Sequence, residues 1–177
     1  MQKTITIFGS ATPKSGEEQY QFAYLLGKRL AETGFAICNG GYGGIMEAAS
    51  KGAHDSGGFV YGVILENSTT DPNPFLTIEI RTSNLFERIS KLIELGDAYI
   101  VLQGGTGTLL ELAAVWELIN KNLLKEKPVI CHSIMWEQLI NIVNNQLLSE
   151  NKRTDIIEIA KSVDEIVEKL KLRLYSF

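Results

Sequence analysis

The chain has few of the residues that mark a secreted, metal-binding or redox-active protein. It carries two cysteines, Cys38 and Cys131, and two histidines, His54 and His132. The cysteines form no CxxC pair and each ends a predicted strand, which suits buried, reduced thiols. The histidines are too far apart in sequence to suggest a metal centre. No apolar run approaches the ~20 residues needed to span a bilayer, and the opening MQKTITIFGS has no long apolar core before a cleavage site. A cytoplasmic protein is expected. Positive charge is also short: 17 Lys and Arg against 21 Asp and Glu leave a formal net charge of −4. Such a chain offers no basic field for nucleic acid or an anionic membrane, although one local cationic pocket for a phosphate is still compatible with it. Internal repeats and low-complexity segments are absent.

What remains is a well-ordered alternation. With 177 residues, 45% hydrophobic and 21% charged, one globular domain over 1–177 with a substantial core is expected. Apolar, β-branched stretches at Thr4–Phe8, Phe35–Cys38, Phe59–Leu65, Ala98–Leu102, Pro128–Cys131 and Ile156–Ile159 predict strands. Leu76–Arg81 alternates apolar and polar residues, as an edge strand does. Helical spacing marks Glu17–Glu32, Ile45–His54, Ser83–Leu95, a helix after Gly107, Ile134–Leu148 and Val163–Leu172. Strand–helix alternation of this kind predicts an α/β fold, Rossmann-like and doubly wound, with a mainly parallel sheet and helices on both faces. The polar segment Glu66–Pro74 would lie on the ligand edge, as a lid or as a plain connection.

Two glycine-rich loops each follow a strand and open a helix. The first is Asn39-Gly40-Gly41-Tyr42-Gly43-Gly44, leading into Ile45, Met46 and Glu47. The second is Gln103-Gly104-Gly105-Thr106-Gly107-Thr108. The second loop is not a Walker A sequence, and it lacks the GxGxxG spacing because Leu110 stands where the last glycine would be. Glycines still let the backbone approach a ligand, and free N–H groups at a helix start attract an anion, so the second loop is a candidate phosphate cradle. Thr108 and Glu111 have the spacing of a capping box, which makes Glu111 either a cap or a functional carboxylate. By spacing alone Arg88 and Lys91 belong to a solvated helix face.

Together these segments resemble the Lonely Guy family of cytokinin riboside 5′-monophosphate phosphoribohydrolases. The family's PGGxGTxxE appears as QGGTGTLLE from Gln103 to Glu111, its glycine loop ending in GLM as NGGYGGIM from Asn39 to Met46, and its MHERK setting as Leu85-Phe86-Glu87-Arg88-Ile89. The opening IFGSA is similar to the family's first strand and turn. Gln103 replaces the usual proline, Ile89 the usual lysine, and Glu47 a glycine, the pattern of a divergent bacterial-type branch.

The resemblance implies cleavage of the N-glycosidic bond of a nucleoside 5′-monophosphate, a purine nucleotide first among them, to free base and ribose 5-phosphate. In that scheme Arg88 and Glu111 are catalytic. Gly104, Gly105, Thr106, Gly107 and Thr108 bind the phosphate, and Gly9, Ser10, Gly40, Gly41, Gly44 and Met46 form the opposite wall. No metal and no cofactor are called for. A homodimer is implied too, with Trp116, Trp136 and Leu118–Leu124 offering a surface, a core role fitting them equally well. The alternative within this fold is a nucleotide- or cofactor-binding protein without hydrolysis, a sensor or a molybdenum-cofactor carrier.

Overall fold

The computed structural model describes residues 2–175. In chain order the elements are β1 (Thr4–Phe8), α1 (Glu18–Glu32), β2 (Ala36–Asn39), α2 (Ile45–Asp55), β3 (Val60–Leu65), β4 (Ile78–Thr82), α3 (Leu85–Leu95), β5 (Ala98–Val101), α4 (Thr106–Asn120), β6 (Val129–Cys131), α5 (Ile134–Ser149), β7 (Ile157–Ile159) and α6 (Val163–Tyr175). The strands form one sheet in the order β4-β3-β2-β1-β5-β6-β7, and every pairing is parallel. This is the Rossmann-like, doubly wound α/β fold that the alternation predicts.

Strand order reverses between β1 and β5, where Ile5 to Phe8 pair with Ala98 to Val101. The connections from these two strands leave toward opposite faces, so a crevice opens at their carboxyl ends. Both strands are built of residues that tolerate burial on both sides, and Ile5, Ile7, Tyr99 and Ile100 are essentially inaccessible. One core packs α1, α2 and α6 on one face of the sheet, with Leu26, Leu30, Ala49 and Leu170 at its centre. The other packs α3, α4 and α5, with Leu92, Leu112, Val115 and Trp136. The tryptophans therefore take the core role: Trp136 is 1% exposed and Trp116 7%. Neither offers a dimer surface, because each fills the gap between helices and sheet, and the Trp136 Nε1–H donates to the Leu102 carbonyl at 2.9 Å.

α1 and α2 pack backbone to backbone. A Cβ on Gly27 would lie 2.1 Å from the Ala49 carbonyl oxygen, and one on Gly52 would lie 2.0 Å from that of Tyr24. Helices approach this closely only where a side chain is missing. Gly52→Ala is therefore expected to force the helices apart and to destabilise the protein by about 1–3 kcal/mol, the usual cost of overpacking. Thermal melting checks this: a melting temperature equal to that of the native chain would contradict the crossing described.

β4 closes one edge of the sheet, as its alternating sequence predicts. The preceding segment Glu66–Pro74 runs over the surface and is tied down near its end, where the Asn73 N–H donates to the Gly41 carbonyl at 2.8 Å and Asn73 Nδ2 to the Tyr42 carbonyl at 3.0 Å.

Candidate active site

The site is assembled from the second glycine loop outward. β5 ends at Val101, and the chain turns through Gln103 to Gly105 before α4 begins at Thr106. Gly105 is the N-cap, with no side-chain capping bond, and its carbonyl accepts the first helical bond from the Leu109 N–H at 3.0 Å. The N–H groups of Thr106, Gly107 and Thr108 have no partner among the described residues, the state expected of a first helical turn. α4 thus starts three residues earlier than a cap at Thr108 requires, and the capping box does not form. Thr108 is instead helical and 4% exposed, its Oγ1 lying 2.1 Å from where a Gly104 Cβ would stand. Released from capping, Glu111 sits one turn further along, on the side of α4 that meets α3.

Arg88 meets it there. α3 is capped by Asn84, whose side chain accepts from the Glu87 N–H at 3.0 Å. The Glu87 carboxylate accepts from the Ser83 hydroxyl at 2.5 Å and from the Ser83 N–H at 2.8 Å, and these two bonds, the hydroxyl's first, pull its pKa below the ordinary value. That start fixes the rotation of α3 so that Arg88 points inward beside Ile89 and Leu92, only 9% exposed. The solvated face expected from spacing is thereby corrected: the hydrophobic stripe of α3 includes the arginine, while Leu85 and Phe86 are 45% and 73% exposed. The guanidinium is held by two backbone carbonyls, Nε donating to Val63 O within β3 at 2.8 Å and Nη2 to Gly40 O just after β2 at 3.0 Å. It lies 5.5 Å from the centre of the Tyr42 ring. Nη1 then stands 3.9 Å from Glu111 Oε1, an ion pair without a hydrogen bond.

Burial drives the Glu111 carboxyl upward and the Arg88 charge pulls it back; the result is a pKa of about 7, against an ordinary 4.5. At neutral pH such a group is divided between acid and carboxylate. The cysteines are different: burial raises Cys38 to about 12 and Cys131 higher still, so neither is a nucleophile at neutral pH.

Glu111 and Arg88 share a cavity of about 300 Å³ with Gly9, Ser10, Ala11 and Met46 on one side and Gly105 to Thr108 on the other. The remaining glycines named from the sequence do not line it. Gly40 backs the arginine: a Cβ there would come within 1.8 Å of Arg88 Nη2 and 2.6 Å of Met46 Sδ. Gly41 and Gly44 shape the first loop, the latter against the backbone of Ser10 and Ala11, and Gly104 packs on Thr108. These are supporting positions, because the loop must pass close behind the side chains that face the cavity. None of Glu66–Pro74 borders the cavity either.

Two contributors were not read from the sequence. Asn39 is fully buried; its Oδ1 accepts from the Gly41 N–H at 2.8 Å while Nδ2 donates to Ser50 Oγ at 2.9 Å and Met46 O at 3.2 Å. It ties the first glycine loop to α2. Tyr42 lies beside the guanidinium, and its hydroxyl accepts from the Leu65 N–H at 2.9 Å. A polar residue ending an apolar strand was the available signal for the first, and an aromatic inside a glycine loop for the second.

The SLOG cluster4 family matches residues 2–167, nearly the whole chain. This chain belongs to the SLOG cluster4 family. Its relatives make the SLOG cluster4 chain a divergent member of the Lonely Guy family. It is 36% identical over 134 residues, 72% of this chain and 66% of the other, to a cytokinin riboside 5′-monophosphate phosphoribohydrolase of Rhodococcoides fascians. It is 32% identical over 179 aligned residues, 92% of this chain and 70% of the other, to the enzyme of the same name, LOG, from Oryza sativa subsp. japonica. Among solved structures, the molybdenum cofactor binding protein of the phototrophic bacterium Rippkaea orientalis superposes with a TM-score of 0.75 and 27% identity, covering 97% of this chain and 96% of that one. Among the described residues, no helix of this SLOG cluster4 protein is long and apolar enough to cross a membrane.

Proposed function

We propose that the protein hydrolyses the N-glycosidic bond of a nucleoside 5′-monophosphate, a purine nucleotide first among them, releasing free base and ribose 5-phosphate. The observation that carries this reading is the buried Glu111–Arg88 pair facing a row of unpartnered helix N–H groups across one cavity. The phosphate is received by the N–H groups of Thr106 to Thr108 and the threonine hydroxyls, where the positive end of α4 favours an anion. The C1′–N bond breaks with its electron pair leaving on the base, and the ribosyl centre becomes cationic. The Glu111 carboxylate stabilises that cation and takes a proton from the attacking water. Arg88, fixed by the carbonyls of Val63 and Gly40, orients Glu111 and keeps part of it ionised.

Since the carboxylate is the working form, kcat/KM is expected to rise with pH and level off above about 7. A profile flat from pH 5 to 8 would remove Glu111 from this role. A second reading is a carrier or sensor that binds without cleaving. It draws on the likeness to the Rippkaea orientalis protein and on Gln103 and Ile89, where the family has proline and lysine. Homodimerisation belongs to the same proposal: Leu85, Phe86, Leu109 and Leu110 are exposed hydrophobics that neighbour Arg88, Thr108 and Glu111 in the chain.

A further inference from the structure

The carboxyl edge of the sheet holds a second hollow, about 160 Å³, on the β6 side of the crevice. Glu18 and Gln19 of α1, Gln103 after β5, and His132 and Ser133 after β6 line it. A shallow trough, lined by Ser10, Thr12, Pro13 and Glu17 to Gln19, lies beside both it and the cavity of Glu111. That trough shares Ser10 with the cavity and Glu18 and Gln19 with the hollow. The sill between them is the bond from the Ser10 N–H to the Gln103 carbonyl, 3.1 Å long. The second glycine loop thus has space at both ends, Gly105 to Thr108 bordering the cavity of Glu111 and Gln103 bordering the hollow of His132.

The chemistry of the hollow is selective. The ring of Phe22, which also lines it, stacks on His132 with centroids 4.0 Å apart and planes 12° from parallel. His132 Nδ1 lies 2.9 Å from the Ala160 carbonyl, which in the neutral ring places the proton on Nδ1 and leaves Nε2 as an acceptor. Gln103 contributes an amide side chain and also a backbone N–H without a partner among the described residues, a donor that the family's proline does not have. Ser133 is held at φ 139°, ψ 155°, a strained backbone for a residue with a Cβ. The carboxylates of Glu17 and Glu18 stand along the trough. They oppose a second phosphate there and suit an uncharged group rich in hydrogen-bonding atoms.

We propose that the hollow is a second ligand compartment, and that the protein favours nucleotides whose 5′-phosphate is a diester carrying a neutral, ring-containing alcohol such as a nucleoside. This inference rests on the phosphate-cradle reading above. The bond cleaved is still C1′–N, with water adding at C1′, and the esterified group departs with the ribose phosphate.

The test is calorimetric binding in the Glu111→Gln background, where no ligand is consumed, with AMP and the dinucleoside monophosphate ApA as probes. ApA is expected to bind about tenfold more tightly than AMP. Gln19→Trp, which fills the trough from the half-buried first turn of α1, is expected to erase that advantage and leave AMP unchanged. His132→Ala, which removes one wall of the compartment, is expected to reduce the same advantage and keeps the test independent of how well the tryptophan variant folds. AMP binding with no ApA advantage, or an advantage untouched by both variants, overturns the second compartment alone. If neither probe binds, the phosphate cradle falls with it.

Discussion

Glu111→Gln is expected to lower base release about a hundred- to a thousandfold while leaving nucleotide binding intact, the scale on which loss of a single charge-stabilising group acts in a buried site. Glutamine keeps the shape of the side chain and can neither carry the negative charge nor take the proton. The same substitution has a second consequence that a purely structural glutamate would not share. Glu111 ionises near 7 in the folded protein and at an ordinary 4.5 when exposed. Between those values the unfolded chain releases its proton first, so the native chain loses stability as pH rises from about 4.5 and carries the full penalty above about 7. At about 1.4 kcal/mol for each tenfold change the ceiling on that penalty is about 3.5 kcal/mol. The variant escapes it. Its melting temperature should match the native chain near pH 4.5 and exceed it by several degrees at pH 8. Thermal melts at the two pH values, beside an assay of free base, read both effects; a variant that retains turnover would contradict the catalytic assignment.

Arg88→Ala should do the opposite to stability and comparable damage to activity. The guanidinium satisfies the carbonyls of Val63 and Gly40 and is the charge that lowers Glu111. Removing one member of a buried ion pair costs about 3–5 kcal/mol when the other stays charged. Glu111 can avoid part of that cost by holding its proton, so the loss should be largest at pH 8 and smaller near pH 5. Its pKa should then move above 7, carrying the inflection of any residual kcat/KM profile to higher pH. Arg88→Lys keeps a charge but lacks the planar fork that reaches two carbonyls and Glu111 together; it should recover stability better than activity. Equal stability loss at both pH values would show that Arg88 acts without coupling to Glu111.

Much of this arrangement was legible before the structure. Periodicity placed all seven strands to within two residues at either end, because buried parallel strands are short apolar runs bounded by glycine and polar turns. The two glycine loops were recognisable as companions because each follows a strand and opens a helix. What the sequence hid was orientation. Local spacing made Thr108 a cap, but glycines at 104 and 105 let α4 begin earlier, which turned Glu111 toward Arg88. Spacing likewise put Arg88 with the polar residues of α3. Its burial depends on the carbonyls of Gly40, just after β2, and Val63, within β3, far away in the chain, and no pattern within α3 reports them. Gly40 and Gly44 read as cavity wall in the sequence for the same reason: a motif says that a backbone passes closely and leaves open whether it passes a ligand or a side chain.

The most direct test of the central claim is chromatographic detection of products after incubating the purified native chain with a panel of nucleoside monophosphates. Equal amounts of free base and ribose 5-phosphate, purines leading, are expected. Intact nucleotides throughout, with a thermal shift showing that one of them binds, would contradict hydrolysis and leave a protein that carries or senses its ligand.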